Sequence, residues 1–319
     1  MSEYVLADVA LPDEILAMFN PDWVVEIWPS DTLDLEAIFR STTGLFTYGH
    51  PRIDGALMDR MPGLKVISNF GVGVDHIDLA AARQRGIPVG NTPHVLDGAT
   101  ADMTFTLLLA AARNLVIGDR FARSPAFTHY DPTILLGQEV HGATLGIIGM
   151  GNIGRQVAQR ARGFDMRVLY HNRRRNIQAE SSLGVTYASL PDLLQQADFV
   201  TLNVPLTAET RSMIGRDALA QMKPTAFLIN VARGGVVDHE ALLQALEHGW
   251  IAGAALDVTE PEPLPRDHPL LQMANVIIAP HLGSATRQTR RAMAQMAVDN
   301  LKAGLSSQQL PSPVGIGHA

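Results

Sequence analysis

The chain has 319 residues, a formal net charge of −7 at pH 7 and a hydrophobic fraction of 46%. This length accommodates two domains with separate cores, and the acidic balance argues against a general nucleic-acid-binding surface. The absence of cysteine excludes disulfides, thiol nucleophiles and thiolate metal sites, and we predict no metal centre.

Two features favour a cytoplasmic location. The most apolar run, from Phe105 to Ala112, is far shorter than a membrane span and ends at Arg113. The first residues, Met1 to Ala7, are typical of a short strand and not of a charged leader before an apolar signal core. We therefore expect neither a membrane nor a nucleic acid among the partners.

Short apolar runs alternate with helical patterns in the first ninety or so residues. The strand candidates are Tyr4–Ala7, Trp23–Ile27, Gly44–Thr47, Lys65–Ser68 and Ile87–Val89. Helical patterns lie between them, for example at Glu14–Phe19 and Leu33–Phe39. This alternation predicts an α/β layer around a parallel sheet.

Two glycines, Gly71 and Gly73, follow the strand candidate Lys65–Ser68. In such a turn the backbone can point its N–H groups outward and bind a carboxylate. A tight turn that needs a positive φ explains the same two glycines equally well. The residues alone leave both interpretations open.

Two long helices are predicted on either side of the second half of the chain. Ala99–Asn114 is apolar on nearly all sides, which is typical of a helix buried between other elements. Thr286–Leu305 carries apolar residues at helical spacing. If this second helix returns to the first domain, the domains comprise residues 1–98 plus 286–319 and residues 99–285. The loop-like stretch Ser124–Gly142 is long for a connector, which suggests packing on a partner subunit.

The most informative local motif is the glycine triplet Gly149-Met-Gly151-Asn-Ile-Gly154. It follows the apolar run Leu145–Ile148 and opens a helical pattern at Ile153, the context of a dinucleotide-binding fingerprint. There the first glycine permits the tight turn, the second lets pyrophosphate approach the backbone, and the third lets the helix pack on the strand. The phosphates meet N–H groups at the positive end of the helix dipole. We predict a nucleotide site here; the alternative is a purely structural turn.

The residues after the next strand indicate which dinucleotide binds. The strand candidate Met166–Tyr170 runs into His171-Asn172-Arg173-Arg174-Arg175, with no carboxylate at its end. An acid at this point would bond the ribose 2′-hydroxyl of NAD, whereas guanidinium groups bind a 2′-phosphate. We therefore predict NADPH/NADP+, with NADH as the weaker alternative. A solvent-exposed charged turn is the structural alternative.

Three polar residues follow three later strand candidates. The strand candidates of this region are Phe199–Val204, Ala226–Asn230, Ala252–Leu256 and Val276–Ala279. Arg233, Glu262 and His281 follow the last three of them in turn. Because ligands bind beyond the carboxyl ends of strands in open parallel sheets, we expect these side chains to converge over one cofactor.

The three residue types suit hydride transfer to a ketone. Negative charge develops on the carbonyl oxygen, and a protonated His281 can supply the missing proton. A carboxylate such as Glu262 favours the imidazolium and holds its orientation. Arg233 can bind the carbonyl oxygen together with a neighbouring carboxylate. Each residue alone has an ordinary structural explanation, and only their convergence favours a catalytic site.

Six motifs together resemble the D-isomer-specific 2-hydroxyacid dehydrogenase family, and among its branches the glyoxylate/hydroxypyruvate reductases. They are Gly71–Asp75, Ala99–Asp102, Gly149–Gly154, Asn230–Gly235, Leu256–Pro263 and Pro280–Ser284, and they span almost the whole chain. The resemblance implies two Rossmann-like doubly wound parallel-sheet α/β domains with an active-site cleft between them. It also implies a discontinuous, flavodoxin-like substrate domain and a homodimer built on the nucleotide-binding domain.

The resemblance also implies roles for individual residues. Arg233 binds substrate and stabilises charge, His281 is the acid/base, and Glu262 pairs with that histidine. Glu260 is the neighbouring competitor, and the family's spacing after Asp257 selects Glu262. The residues implied in substrate binding are Val72, Gly73, Arg233, His281 and Ser284. Those implied in cofactor binding are Gly149, Gly151, Asn152, Ile153, Gly154, Asn172, Arg173, Arg174, Arg175, Val204, Pro205, Thr210, Val231, Ala232, Arg233, Asp257, His281 and Gly283.

The predicted function is NADPH-dependent reduction of small 2-ketoacids to D-2-hydroxyacids, with glyoxylate and hydroxypyruvate first and 2-ketogluconate or arylpyruvates behind. One segment departs from the pattern: reductases of this branch often carry a Trp where this chain has Phe127-Thr-His129-Tyr130, which leaves the preferred ketoacid open. Formate-oxidising relatives have Gln in place of Glu262, which disfavours that activity. A rival from another class is a dinucleotide-sensing interaction protein without turnover, because the family includes transcriptional corepressors.

Overall fold

The structure, a computed structural model, describes residues 2–28 and 35–315. The chain divides into two compact units, one formed by Met1–Leu96 with Thr286–Ala319 and the other by Asp97–Ala285. The predicted helix Leu33–Phe39 begins outside the described residues, and its described part runs from Leu35 to Ser41.

The described part of the first unit is built on a five-stranded parallel sheet. Its strands are β1 (Tyr4–Ala7), β2 (Val24–Ile27), β3 (Gly44–Thr47), β4 (Val66–Asn69) and β5 (Val89–Gly90), in the order β2-β1-β3-β4-β5. Its helices are α1 (Asp13–Leu16), α2 (Leu35–Ser41), α3 (Gly55–Asp59), α4 (Leu79–Gln84) and the C-terminal helix Arg287–Leu305.

The C-terminal helix joins this sheet although it is distant in sequence. Its first turn is capped by Thr286, whose hydroxyl accepts a hydrogen bond from the Thr289 N–H at 3.1 Å. The Ser68 hydroxyl of β4 donates to the Ala297 carbonyl at 2.6 Å, and Leu301 is fully buried. The apolar spacing that predicts this helix therefore reflects burial of one face in the first unit.

The described part of the second unit is built on a seven-stranded parallel sheet. Its strands are β6 (Thr144–Ile148), β7 (Arg167–His171), β8 (Thr186–Tyr187), β9 (Phe199–Leu202), β10 (Phe227–Asn230), β11 (Gly253–Leu256) and β12 (Val276–Ile278), in the order β12-β11-β10-β9-β6-β7-β8. Its helices are α5 (Asp97–Ala112), α6 (Leu115–Ala122), α7 (Asn152–Ala161), α8 (Ile177–Leu183), α9 (Leu190–Gln196), α10 (Arg216–Leu219) and α11 (His239–Glu247).

Both faces of the seven-stranded sheet are buried, which explains why its strands are nearly continuous apolar runs. Alternate residues enter opposite cores: Leu228 packs on one side of β10 and Ile229 on the other. Helix α5 contributes Phe105 and Leu108 to the second of these cores, as its apolar character predicts.

The strand order places the candidate site. It reverses between β9 and β6, the topological switch point at which doubly wound sheets bind ligands. Strands β10, β11 and β12 are neighbours and parallel, so the residues that follow them lie at one edge of the sheet.

The predicted fold class is confirmed, since both units are parallel-sheet α/β structures. The sequence patterns do not indicate β8, because its two residues are too short for a periodic signal. No single helix within residues 2–28 and 35–315 is long and apolar enough to cross a membrane; α5 with α6, bent by 60°, meets the length and composition criteria only as a pair.

Candidate active site

The glycine triplet forms a tight turn between β6 and α7. Gly149 has a φ of 100°, and a Cβ there would lie 2.6 Å from the Asn203 carbonyl oxygen, so only glycine fits. A Cβ at Gly154 would overlap the Gly149 carbonyl oxygen. The turn is closed by a hydrogen bond of 2.9 Å from the Gly149 N–H to the His171 carbonyl of β7.

The same turn leaves room for a phosphate. A Cβ at Gly151 would meet no atom of the described residues within 4 Å. Helix α7 begins directly after it at Asn152, and in the described part of the chain no side chain caps this end. A ten-residue helix with an uncapped N-terminus beside an open glycine is the geometry that binds pyrophosphate. The residues present therefore fit a dinucleotide.

The loop after β7 carries the predicted 2′-phosphate ligands, and its members differ in their environments. The Asn172 side chain accepts a hydrogen bond of 2.7 Å from the Met150 N–H, which ties it to the glycine turn. Arg173 and Arg174 are exposed. Arg175 is also exposed, but it forms a two-pronged pair with Glu180, at 2.7 and 2.6 Å.

Glu180 is part of a small network behind this loop. The hydrogen bond from Arg175, with a second from the Tyr170 hydroxyl at 2.7 Å, lowers the pKa of Glu180 to about 2. The Tyr170 oxygen in turn accepts from the Asn176 N–H at 2.7 Å. The charge of Arg175 is therefore balanced by an ionised carboxylate. Arg173 and Arg174 are exposed on the loop. The hydrogen bond from Thr207, to which the charge of Arg173 adds, lowers the pKa of Glu209.

His281 and Glu262 form a hydrogen-bonded pair. The His281 Nδ1 lies 2.7 Å from the Glu262 Oε1, and both side chains are partly exposed. Burial alone would raise the pKa of Glu262, but the hydrogen bond and charge of His281, together with the charge of Arg233, hold this pKa below its usual value. Glu262, and not Glu260, is thus the carboxylate on the histidine.

Asp257 accepts hydrogen bonds from the backbone around His281. His281 has a φ of 56°, which is uncommon for a residue other than glycine, and its N–H donates to the Asp257 carbonyl at 2.9 Å. The Asp257 carboxylate accepts from the Leu282 N–H at 2.6 Å and from the Gly283 N–H at 2.7 Å. Burial raises the pKa of Asp257, and these two bonds oppose the shift. Asp257 therefore fixes the turn that presents the histidine.

Arg233 is held in extended backbone conformation between β10 and a short 3₁₀ turn. The Asn230 side chain donates to the Arg233 carbonyl at 2.9 Å and accepts from the Ala232 N–H at 3.0 Å. Arg233 Nη1 donates to the Ala232 carbonyl at 2.9 Å. The structure thus brings Arg233 close enough to lower the pKa of Glu262, as the neighbouring strand ends predict.

The glycines after Arg233 have a packing role that the sequence indicates only indirectly. A Cβ at Gly234 would overlap the Thr259 carbonyl group, and a Cβ at Gly235 would overlap the Glu260 carboxylate. The arginine loop and the Glu262 loop therefore pack directly on each other.

The remaining predicted cofactor residues lie around the same sheet edge. The Thr210 hydroxyl donates to the Pro205 carbonyl at 2.6 Å and accepts from the Thr207 N–H at 2.8 Å, so it closes the turn after β9. Of the other predicted cofactor residues, Val231 is buried, and Ile153, Val204 and Ala232 are partly buried. Ser284, which is predicted to bind substrate, is also buried.

Val72 and Gly73 belong to the first unit, whereas Arg233, Glu262 and His281 belong to the second. The Asn69 side chain donates to the Gly71 and Gly73 carbonyls, each at 3.0 Å, and Asn91 donates to the Val72 carbonyl at 2.9 Å. Because a trans peptide points its N–H opposite to its C=O, the Val72 and Gly73 N–H groups point away from these amides. N–H groups that point outward are the geometry that the anion-binding interpretation of this turn requires.

The doubly wound sheet, the glycine turn and the Arg–Glu–His set define a dehydrogenase that uses a nicotinamide dinucleotide. A family model for the NAD-binding domain of D-isomer-specific 2-hydroxyacid dehydrogenases matches residues 105–283. The chain belongs to this family.

Relatives and solved structures agree with this assignment. The chain is 45% identical to a glyoxylate reductase of Thermococcus gammatolerans, over 98% of this chain and 96% of that one. It resembles the TT0316 protein of Thermus thermophilus, with 46% identity, a TM-score of 0.88 and coverage of 98% and 100%. It also resembles an NADPH-dependent glyoxylate/hydroxypyruvate reductase of Sinorhizobium meliloti in complex with NADP and malonate, with 34% identity, a TM-score of 0.89 and coverage of 99% and 97%. The predicted family and branch are confirmed.

Proposed function

We propose that the protein reduces small 2-ketoacids to D-2-hydroxyacids with NADPH, glyoxylate and hydroxypyruvate being the preferred substrates. The observation that carries this proposal is the 2.7 Å pair of His281 and Glu262 beside Arg233, on the sheet that bears the glycine turn. The glyoxylate reductase relatives support the choice of substrate.

The chemistry follows from the geometry of the pair. NADPH, when bound, supplies the hydride for the carbonyl carbon of the ketoacid. His281 binds Glu262 through Nδ1, so Nε2 is the nitrogen that donates a proton to the carbonyl oxygen. Glu262 stays ionised because its pKa is lowered, and it thereby favours the protonated imidazole.

Arg233 stabilises the negative charge that develops on the carbonyl oxygen. Its guanidinium is permanently positive, and its backbone is fixed by Asn230 on one side and by the packed glycines on the other. We assign to it the carbonyl oxygen and the carboxylate of the ketoacid. The N–H groups of Val72 and Gly73 are the proposed second set of donors for that carboxylate, and Ser284 is a further proposed substrate contact.

The NADPH preference rests on the charge of the loop after β7. Arg173 and Arg174 are exposed, and the strand ends without a carboxylate that would repel a 2′-phosphate. Asn172 is held at the glycine turn by the Met150 N–H, which places the loop next to the proposed pyrophosphate site. Arg175 supports the loop through Glu180 in this proposal and is not itself the main phosphate ligand.

We further propose a homodimer through the nucleotide-binding unit. Helix α6 has no buried residue in the described chain, and the segment after it exposes large apolar side chains, with Tyr130 at 80% and Leu136 at 74%. An exposed apolar segment of this kind is typical of an interface. Light scattering after size exclusion should give twice the chain mass, and Leu136→Glu should shift it toward the monomer.

The direct test of function is the loss of absorbance at 340 nm with NADPH or NADH and a panel of 2-ketoacids. Rapid oxidation of NADPH with glyoxylate or hydroxypyruvate is the expected result. Activity confined to 2-ketogluconate or an arylpyruvate would keep the reaction and overturn the substrate. No turnover with any ketoacid, despite tight NADPH binding, would overturn the enzyme proposal in favour of a sensor.

A further inference from the structure

The turn after β11 carries two glutamates two residues apart, and the structure gives each a different side-chain partner. Glu262 bonds to His281. Glu260 accepts a hydrogen bond of 2.8 Å from Arg211, which lies in the turn after β9. The family's spacing selects Glu262 as the partner of the histidine, and the structure shows in addition that Glu260 has a partner of its own.

Arg211 is fixed by backbone bonds on both sides. Its own N–H donates to the Thr207 carbonyl at 3.0 Å, and the next N–H, that of Ser212, donates to the Gly235 carbonyl at 2.8 Å. The Ile214 N–H donates to the Val236 carbonyl at 3.1 Å. The segment that carries Arg211 is therefore bonded to the loop that follows Arg233.

The ion pair also contacts that loop directly. A Cβ at Gly235 would overlap the Glu260 carboxylate and lie 3.0 Å from Arg211 Nη1. Thr259, at the base of the glutamate turn, is buried and donates its hydroxyl to the Pro261 carbonyl at 2.8 Å. Three turns that follow β9, β10 and β11 thus meet at Arg211 and Glu260.

Stability does not explain this pair well. Its side chains are 54% and 45% exposed, and exposed ion pairs add little to folding free energy because water and salt screen them. A cavity of about 380 Å³ borders Arg211, Glu260 and Pro261, so the glutamate turn has room to move when the pair is broken. The other titratable residues that line this cavity are Asp238, His239, Glu240 and His268. Because the same turn carries Glu262, its movement displaces the carboxylate that bonds to His281.

We propose that Arg211 and Glu260 are positioning residues: the pair fixes the turn that presents Glu262 to the catalytic histidine. This inference rests on the proposed function for the roles of His281, Glu262 and Arg233. Neither Arg211 nor Glu260 touches the reacting atoms in it.

The test uses the full-length protein and the variants Arg211→Met, Glu260→Gln and the double variant. Each single variant should lower kcat by ~10-fold or more, because a small misplacement of catalytic groups has an effect of this size on turnover. The KM for NADPH should change little. In both single variants the alkaline fall of the pH–rate profile should move to lower pH, because a displaced Glu262 favours the protonated form of His281 less. The double variant should change no further than the single variants, because either substitution alone breaks the pair.

A matched control is Asp59→Asn, which breaks an exposed pair of 2.7 Å with Arg85 in the first unit. It should leave kcat and the pH profile unchanged. Wild-type kcat and pH profiles in both single variants would overturn the inference, and so would losses in kcat that merely follow a lowered Tm.

A second readout separates this inference from the proposed function. The imidazole resonance of His281, assigned by its absence in His281→Ala, can be titrated by NMR whether or not the protein turns over a ketoacid. Arg211→Met should move its midpoint to lower pH relative to wild type, because Glu262 is no longer held against the imidazole. An inactive wild type would overturn the proposed function alone, whereas an unmoved midpoint would overturn the positioning role.

Discussion

The two halves of the seven-stranded sheet use different devices at their carboxyl ends. Beyond β6 and β7 the proposed contacts are backbone N–H groups at the start of α7 and the exposed side chains of Arg173 and Arg174. Beyond β10, β11 and β12 the functional side chains are held by other side chains and by turns packed on glycine.

This difference follows from what each half has to recognise. A phosphate is a large anion that several amides can bind, so an open turn suffices. A proton donor must point at one atom, so its side chain needs fixed partners, as Glu262 and the turn held by Asp257 provide. We therefore expect changes in the first half to alter cofactor affinity and changes in the second half to alter turnover.

The largest effect is expected for His281→Ala. Loss of a positioned general acid should reduce kcat by ~10²–10⁴-fold, while the Kd for NADPH changes little. Steady-state assays at 340 nm and fluorescence titration of NADPH measure the two quantities. His248→Ala, an exposed histidine after α11, is the control and should be unaffected. Turnover close to wild type in His281→Ala would remove the histidine from the chemistry.

Substitution of two glycines of the same turn should separate cofactor affinity from stability. A Cβ at Gly151 would meet no described atom within 4 Å, so Gly151→Val should keep its Tm, but its side chain would occupy the phosphate space. Loss of one bond to a charged phosphate, about 1.5–3 kcal/mol, corresponds to a ~10–100-fold rise in the Kd of both NADPH and NADH. Gly154→Ala should instead lower Tm, because its Cβ overlaps the Gly149 carbonyl. Unchanged cofactor affinity in Gly151→Val would place the pyrophosphate elsewhere.

The double variant Arg173→Ala/Arg174→Ala tests whether the loop after β7 distinguishes NADPH from NADH. Removal of guanidinium contacts to a 2′-phosphate should weaken NADPH by ~10–100-fold and leave NADH nearly unchanged. The ratio of the two Kd values is the readout, so NADH serves as the internal control. Equal weakening of both cofactors would argue against a 2′-phosphate site.

The smallest effect concerns the support of that loop. The pKa of Glu180 is lowered from 4.5 to about 2, so its carboxylate stabilises the fold above pH 4.5, and this contribution is lost as pH falls toward 2. Glu180→Gln should therefore lower Tm slightly at pH 7. The difference from wild type should shrink between pH 4.5 and 2. A difference independent of pH would show that the charge of Glu180 is not the cause.

The regular elements of both units could be predicted because their signals are strong. Six apolar runs predict the buried strands β6, β7 and β9–β12, and only the two-residue edge strand β8 lacks such a signal. The helix that begins at Arg287 has both an apolar face and a capping residue, Thr286. Its return to the first unit rests on a bond such as that of Ser68, which no local pattern encodes.

The positions of the candidate site residues could be predicted where they follow neighbouring strands of the sheet. The side-chain pairs that hold them could not be predicted from the sequence. Neighbouring strands bring Arg233, Glu262 and His281 to one edge of the sheet. The partners of Arg175 and Glu260 could not be inferred, because Glu180 is at no helical spacing from Arg175 and Arg211 is 49 residues from Glu260. The paired glycines after Arg233 were the one available sign of a close approach.

The most direct test of the central claim is the pH dependence of kcat/KM for glyoxylate in wild type and in Glu262→Gln. We expect the alkaline fall in kcat/KM to occur at a lower pH in Glu262→Gln than in wild type, because the histidine loses the carboxylate that favours its protonated form. A fall at the same pH in both proteins would contradict the claim that Glu262 and His281 act as one acid.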